Sequence, residues 1–393
     1  MSVPSKYLPW SAATVAVALA GCGAPDVRSH IQRSDSSGIE IVTHVGPDTP
    51  LAWSFDTLFT LGGEETDEES FYEVDPTTVG VDNQGRIYVL DRDAYRVLMF
   101  DAEGRHLRTL GREGGGPGEM RFPFGLFVSP DGTVGAFDIS KRGFVRFGPD
   151  GSILPEEYLP SGYGGGKIRR VGQSLVFSAD ELDTDRGIHI DQLVTIGVSD
   201  TAAMVHLERP AGGVLNLESC GMQLVGIGPI FRPSIRWTPL GSAVAVAVTA
   251  EYEITVYRDG IPVRVLRRSV APVPATLELA AERVGDGMKV MTTGGVRTCD
   301  AREVVEQRGV ADVIPIVADL AAGPDGTLWI RRAGRPGAPR PIDVFDADGS
   351  YLGTLPDASP FPIAVFGSRL IVIEADDMDV ERLVIYEVLR GRP

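Results

Sequence analysis

Two aspartates, Asp91 and Asp138, each end an apolar strand-like segment at matching points of the sequence and are the best candidates for metal chemistry. Carboxylate oxygens are the ligands that calcium prefers, but a calcium site needs several of them converging from different elements. Alternatively, each carboxylate accepts hydrogen bonds from the backbone of the turn that follows it. The sequence favours this turn-capping role, so we expect no cofactor, with Ca2+ as the alternative.

A second group of candidates consists of charged loop residues that could gather at one edge of the fold. The group comprises Arg92, Lys141, Arg142, Arg331, Arg332, Arg335, Asp376, Asp377 and Asp379. Guanidinium groups bind carboxylates and phosphates, so the cluster predicts a mouth that binds an anion or a glycan. The alternative is that these side chains are solvated or pair with one another.

Signals of catalysis are weak. No two histidines have the His-X-X-X-His spacing that is typical of a zinc site. The sequence also lacks a Gly-X-Ser-X-Gly turn, which would present a nucleophilic serine. We therefore predict no catalytic residue.

The first residues of the chain have the layout of an export signal. Residues 11–20 are uncharged, too few to span a membrane, and are followed by Gly21 and Cys22. This arrangement resembles a bacterial lipobox and predicts a signal peptide over 1–21, with lipid on Cys22 and a flexible tether over 22–37. Gly23 favours the outer membrane, since an inner-membrane retention signal would have Asp there. The alternative is that Cys22 is incidental.

Composition excludes some partners. The 393 residues carry a net charge of −17, which argues against binding to nucleic acid and against direct adsorption on anionic lipid. Membrane attachment therefore depends on the lipid at Cys22. The two other cysteines, Cys220 and Cys299, either pair in the oxidising envelope or stay as buried thiols, and the sequence leaves both possibilities open.

Paired turn glycines indicate a repeat that would position the candidate residues. Gly85 and Gly104 are 19 residues apart, as are Gly132 and Gly151. Each pair marks two hairpins between strands of alternating polarity. Such a four-stranded unit, recurring about every 40–50 residues, is typical of propeller blades. The sequence thus predicts an all-β fold, a six-bladed β-propeller that occupies residues 38–393.

The blades can be placed along the chain. We expect them at 78–112, 123–160, 165–209, 234–268, 315–356 and 361–388. The sixth has only three strands, so we predict that an N-terminal strand over 38–45 completes it and closes the ring. This would attach the tether at blade six. Residues 275–310 interrupt the repeat between blades four and five and predict a small helical insertion, with Thr276 as N-cap and no core of its own.

Residues 76–91, 96–100 and 114–119 resemble NHL-repeat propellers, although the turn at 91–96 lacks the Asn that is common in that repeat. Residues 326–329 and 343–346 are similar to bacterial six-bladed propeller lipoproteins of unassigned activity. The resemblance implies the fold. It implies little about function, because propellers serve as lyases, lactonases, sensors and binding modules.

Variable loops on a rigid scaffold commonly carry function, and here they lie opposite the tight hairpins. We expect a lipid-anchored, monomeric propeller of the bacterial envelope, non-catalytic, that binds a protein, peptide or glycan through this loop-bearing face. One alternative is a metal-dependent hydrolase or lyase of the lactonase-like type. Another is a structural subunit of an envelope assembly.

Overall fold

The computed structural model describes residues 30–62, 70–71, 73–159, 167–197, 201–292, 295–356, 358–375 and 380–391. Cys22, Asp376, Asp377 and Asp379 lie outside them, as does the predicted signal peptide. The described part opens with three strands, β1 (His30–Ser36), β2 (Ile39–Val45) and β3 (Trp53–Leu61). In this part of the chain, neither of the two helices is long and apolar enough to cross a membrane.

The first three blades follow in chain order. Blade 1 contains β4 (Val79–Val81), β5 (Ile87–Asp91), β6 (Arg96–Phe100) and β7 (His106–Leu110). Blade 2 contains β8 (Pro123–Val128), β9 (Val134–Asp138), β10 (Gly143–Phe147) and β11 (Ile153–Tyr158). Blade 3 contains β12 (Ile168–Val171), β13 (Ser174–Asp183), β14 (Ile188–Ile196) and β15 (Thr201–Pro210).

Two irregular segments flank blade 4. A hairpin of β16 (Val214–Leu217) and β17 (Met222–Val225) precedes it. Blade 4 contains β18 (Ile235–Leu240), β19 (Ala243–Val248), β20 (Glu253–Arg258) and β21 (Ile261–Arg268). After it come β22 (Val273–Pro274), α1 (Leu277–Val284), β23 (Met288–Thr292), β24 (Gly295–Cys299), α2 (Ala301–Arg308) and β25 (Val313–Ile314).

The last two blades complete the ring. Blade 5 contains β26 (Val317–Ala322), β27 (Leu328–Arg332), β28 (Ile342–Phe345) and β29 (Tyr351–Leu355), with a short 3-10 turn at Pro324–Gly326. Blade 6 contains β30 (Ala364–Phe366), β31 (Arg369–Ala375) and β32 (Glu381–Arg390). The chain is therefore an all-β, six-bladed propeller, and the predicted blade positions agree with the structure.

An N-terminal strand closes the ring, as predicted, but the predicted segment is wrong. The fourth strand of blade 6 is β3, which pairs antiparallel with β32 from Trp53 to Leu61. Residues 39–45 instead run parallel to β21 on the outside of blade 4, where Val42 and His44 are buried. The tether prediction also fails for residues 30–36, which form β1 and pair with β2. Because β1 is exposed along its whole length, it needs no apolar face and its polar composition resembles a linker.

Core side chains lie between neighbouring blades. Blades 1 and 2 share a cluster that includes Tyr88, Leu126 and Val145. Blades 5 and 6 share a cluster around Trp329, which is fully buried. Burying such large side chains stabilises each blade interface by about 1.5–3 kcal/mol per residue, so the ring forms a rigid support for its loops.

The segments on either side of blade 4 join into one small unit over residues 211–234 and 269–316, which we call the cap. Thr276 caps α1, as predicted, by accepting a hydrogen bond from Leu279 N at 3.3 Å. A disulfide between Cys220 and Cys299 links the two segments. The insertion shares its core with the segment before blade 4, since both contribute to a cluster that contains Leu215, Leu217 and Val304.

Candidate functional site

Two of the five predicted loop arginines, Arg92 and Arg332, are held in ion pairs on the loop-bearing face. Arg92 pairs with Asp75 at 2.7 Å and also donates to Phe124 O at 2.9 Å. Arg332 pairs with Asp48 and lies near the fully buried Asp343, which accepts a hydrogen bond from Arg268 at 2.7 Å. These guanidinium groups therefore stabilise the scaffold. This agrees with the alternative prediction that the charged loop side chains form ion pairs.

Of the other three predicted arginines, Arg335 is exposed in the loop between β27 and β28, and Arg142 and Arg331 lie apart from it. Arg331 lines the axial cavity of the ring and stacks over Phe361, 3.9 Å from the ring centre. Burial, followed by the charge of Arg340, lowers the pKa of Arg331 despite the opposing effect of Asp319. Arg142 is exposed at the blade 2 turn. The structure therefore does not gather the predicted arginines into one mouth.

Asp138 and Asp91 cap the turns that follow them. Asp138 is fully buried and accepts hydrogen bonds from the backbone of Arg121, Phe122 and Ser140. Burial raises the pKa of its carboxyl, but a hydrogen bond from the Ser140 hydroxyl, together with the backbone bonds, outweighs that effect and lowers the pKa. Asp91 accepts from Ala94 N and pairs with Arg96 at 3.0 Å. Among the described residues, no three His, Cys, Asp or Glu side chains are grouped so that they could hold a metal ion.

A cavity of about 860 Å³ lies between the cap and the ring. Cap residues before blade 4 and after it form two sides, and the loops inside blades 4 and 5 form the others, at Thr249 and residues 333–340. In a propeller these loops share one edge, opposite the tight hairpins. The cavity is therefore on the face that the sequence predicts to be functional.

Five arginines line this cavity, and the only acidic residue among its lining residues is Glu282. These are Arg232, Arg236, Arg283, Arg308 and Arg340. None of the five forms an ion pair with any residue that the structure describes. In a chain with an excess of 17 acidic charges, five unpaired guanidinium groups around one cavity create a local site for anions.

Arg232 and Arg308 are the most enclosed members of this group. Arg308 is oriented by a hydrogen bond from its Nε to Gly228 O at 3.1 Å. Nη1 of Arg232 is buried and has no hydrogen-bond partner. Burial lowers the pKa of both side chains, and the charge of Arg232 lowers that of Arg308 further. An anion between them would satisfy the unpaired donor and relieve their mutual repulsion.

The remaining walls of the cavity are largely apolar. Ile230, Phe231, Val284 and Met288 contribute to them. Backbone hydrogen bonds between Ile230 and residues 309–311 hold this wall in place. Together with the disulfide, they give the cavity a fixed shape. The arrangement can therefore bind an anionic group and, beside it, an apolar group.

The sequence predicts the face on which this candidate cavity lies, but not the residues that line it. The 275–310 insertion and the 331–340 loop belong to the face that the sequence predicts to be functional, but Arg283, Arg308 and Arg340 are not among the predicted binding residues. The available signal was the position of Arg283 and Arg308, each in the last turn of a cap helix. Arg232 lies in the connection before blade 4 and Arg236 lies near the start of β18, and no sequence pattern marks either of them as a binding residue.

A second, smaller cavity of about 300 Å³ follows the ring axis. Lys167 projects into it, donates a hydrogen bond to Trp237 O at 2.7 Å and lies over the Trp237 ring. Burial is the main cause that lowers the pKa of Lys167 to about 8, and the charge of Arg169 adds to it. Asp319 opposes this shift. At this cavity, burial therefore disfavours the charged form of Lys167.

Comparison with known proteins supports the fold. Residues 65–162 match the DUF5128 family model, described as a 6-bladed beta-propeller. No curated protein sequence matches this chain.

Solved structures match over most of the chain. A protein of Bacteroides fragilis described as exported has 13% identity and a TM-score of 0.48, covering 88% of this chain and 97% of its own. A duf4221 family member from Bacteroides vulgatus has 10% identity and a TM-score of 0.48, with 86% and 99% covered. The PQQ-bound aldose sugar dehydrogenase of Streptomyces coelicolor has 15% identity and a TM-score of 0.40, with 86% and 99% covered. Such distant likeness concerns the fold and carries no argument about function.

Proposed function

We propose that the chain is a non-catalytic, lipid-anchored binding propeller of the bacterial envelope that takes an anionic ligand in the cavity beneath the cap. The five unpaired arginines around that cavity carry the proposal. Clustered like charges raise the free energy of the folded protein unless counter-charges offset them. Since the chain has many acidic residues, such a cluster is best explained by a ligand that supplies the missing negative charge.

The chemistry of the cavity favours binding over catalysis. Its lining offers guanidinium donors, the hydroxyls of Ser234 and Thr249, and apolar side chains. Arginine stays protonated at physiological pH, so it orients carboxylates or phosphates but does not exchange protons with them. A protein, peptide or glycan would fit this proposal if it carried such anionic groups.

A thermal-shift panel tests the proposal. Oligogalacturonate, a glutamate-rich peptide and inorganic phosphate are compared with neutral maltose, using wild type, R232A/R308A and the exposed control R142A. A ligand at about 100 times its Kd stabilises the folded state by about 2.7 kcal/mol. We expect at least one anion to raise the Tm of wild type and R142A but not of R232A/R308A. Equal shifts in all three proteins, or no shift with any anion, would contradict the proposal.

A further inference from the structure

The direction of β1 determines where the lipid-bearing N-terminus leaves the ring. The strand β21 runs toward the loop-bearing face, because the chain enters the cap directly after Arg268. The strand β2 is parallel to β21, with His44 opposite Arg268. The strand β1 is antiparallel to β2, with His30 opposite Val45. His30 therefore lies at the loop-bearing end of blade 4, and blade 4 borders the arginine cavity.

The distance from His30 to the predicted lipid is short. Seven residues, 23–29, separate Cys22 from His30. Even fully extended, this stretch reaches at most about 28 Å. A lipid on Cys22 would therefore keep the loop-bearing end of blade 4 near the bilayer. The sequence alone predicts that the tether is attached at blade 6.

Exposed apolar side chains occur on the same face. Phe122 and Ile139 lie in the loops of blade 2, and Leu277 begins the first cap helix. Tyr158 ends the outer strand of blade 2 and is 67% exposed. Aromatic and aliphatic side chains of this kind insert favourably at the boundary between headgroups and acyl chains. The cavity adds arginines, which bind phosphate with two parallel hydrogen bonds.

We propose that the loop-bearing face lies on the bilayer and that the arginine cavity takes the phosphate headgroup of an anionic lipid. This inference rests on the proposed function, since it names the ligand class of the same cavity. The apolar walls at Phe231, Val284 and Met288 would contact the part of the lipid next to the phosphate. The acidic remainder of the chain disfavours non-specific adsorption, so binding to anionic vesicles would report on the cavity.

Vesicle sedimentation with the full chain tests this inference. The C22A variant removes the acyl anchor, and the difference between the two vesicle types then reports binding to the headgroup. Vesicles contain phosphatidylcholine with or without phosphatidylglycerol. We expect binding only when phosphatidylglycerol is present, and a loss of affinity of about tenfold or more in C22A/R232A/R308A. The matched control C22A/R142A should bind like C22A. Equal binding to both vesicle types would overturn the inference.

Titration with soluble glycerol phosphate and inorganic phosphate separates the two possible sources of phosphate. If both bind in an Arg232- and Arg308-dependent way while phosphatidylglycerol vesicles do not, the lipid inference is wrong and the proposed function stands. If neither soluble anions nor vesicles bind, both fail. In the lipidated protein on vesicles, hydrogen exchange should slow over 277–284 and not at the tight hairpin around Gly104. Uniform exchange at both sites would contradict the orientation.

Discussion

Cys220, in the segment before blade 4, is disulfide-bonded to Cys299, in the segment after blade 4. The bond spans 79 residues and joins two parts of the cap that the blade separates along the chain. Arg297 strengthens the same junction by donating to Cys220 O at 3.0 Å. The cap is thus one unit, and it fixes the two sides of the cavity relative to each other.

Removing this disulfide should loosen the cap. In C220S/C299S we expect a loss of stability of about 2–4 kcal/mol, because the unfolded chain is no longer constrained. Differential scanning calorimetry of the variant, and of wild type with and without reductant, measures the effect. The anion-dependent rise in Tm should shrink in parallel. An unchanged melting temperature would show that the cap does not depend on the bond.

Deletion of β1 and β2 should leave the ring closed. These strands extend blade 4 on its outer side, whereas β3 supplies the fourth strand of blade 6. A variant that lacks residues 30–45 should still unfold in one cooperative transition. Deleting residues 53–61 should lower the Tm much further, because β32 and the ring seam are exposed. Circular dichroism melts compare the two. A greater effect from losing 30–45 would contradict this assignment of the closing strand.

The buried carboxylate of Asp343 should contribute strongly to stability. It contacts Arg268, which is 5% exposed, and accepts a hydrogen bond from Tyr252 at 2.7 Å. In D343N, Arg268 loses its buried counter-charge, and we expect a loss of about 3–5 kcal/mol. The matched control D325N breaks the exposed pair with Arg390, for which about 0–1 kcal/mol is expected. Urea unfolding measures both. Similar losses in the two variants would refute the role given to Asp343.

The alkaline pH dependence of stability should report on Lys167. Its pKa is about 8 in the folded protein and 10.5 ordinarily, so between these values the unfolded chain binds more protons. The contribution of Lys167 to the free energy of unfolding therefore rises as pH increases from about 8 to 10.5. Urea unfolding of wild type and K167M across this range isolates the effect, since other groups titrate in both. Parallel pH profiles would show that the ammonium is not buried as described.

The sequence is sufficient to predict the positions of the blades, because each blade repeats the same pattern of turns and strands. Glycines such as Gly85 and Gly104 adopt positive φ in turns, and the strands between them alternate in polarity. The strand β1 was not predicted, because an exposed outer strand needs no alternation of polar and apolar residues. The choice of closing strand depended on pairing between distant segments, and local pattern does not determine such pairing.

The site was harder to predict than the fold. Arg232, Arg308 and Arg340 come from a connection, a helix and a loop that are distant in sequence, and no spacing relates them. From the sequence, Arg92 and Arg332 are equally suitable to bind an anion. In the structure, however, Asp75 pairs with Arg92 and Asp48 pairs with Arg332. Whether a loop arginine is paired depends on tertiary contacts, so composition indicates the functional face but not which of its cations remain available.

Anomalous diffraction from crystals soaked in selenate tests the central claim most directly, because it shows where an oxyanion binds. We predict the strongest selenium peak inside the cavity, with oxygens within hydrogen-bonding distance of Arg232 and Arg308. Crystals of R232A/R308A should lack that peak and keep any peak at exposed arginines such as Arg142. A wild-type cavity without selenate, in crystals that bind it elsewhere on the surface, would contradict the account.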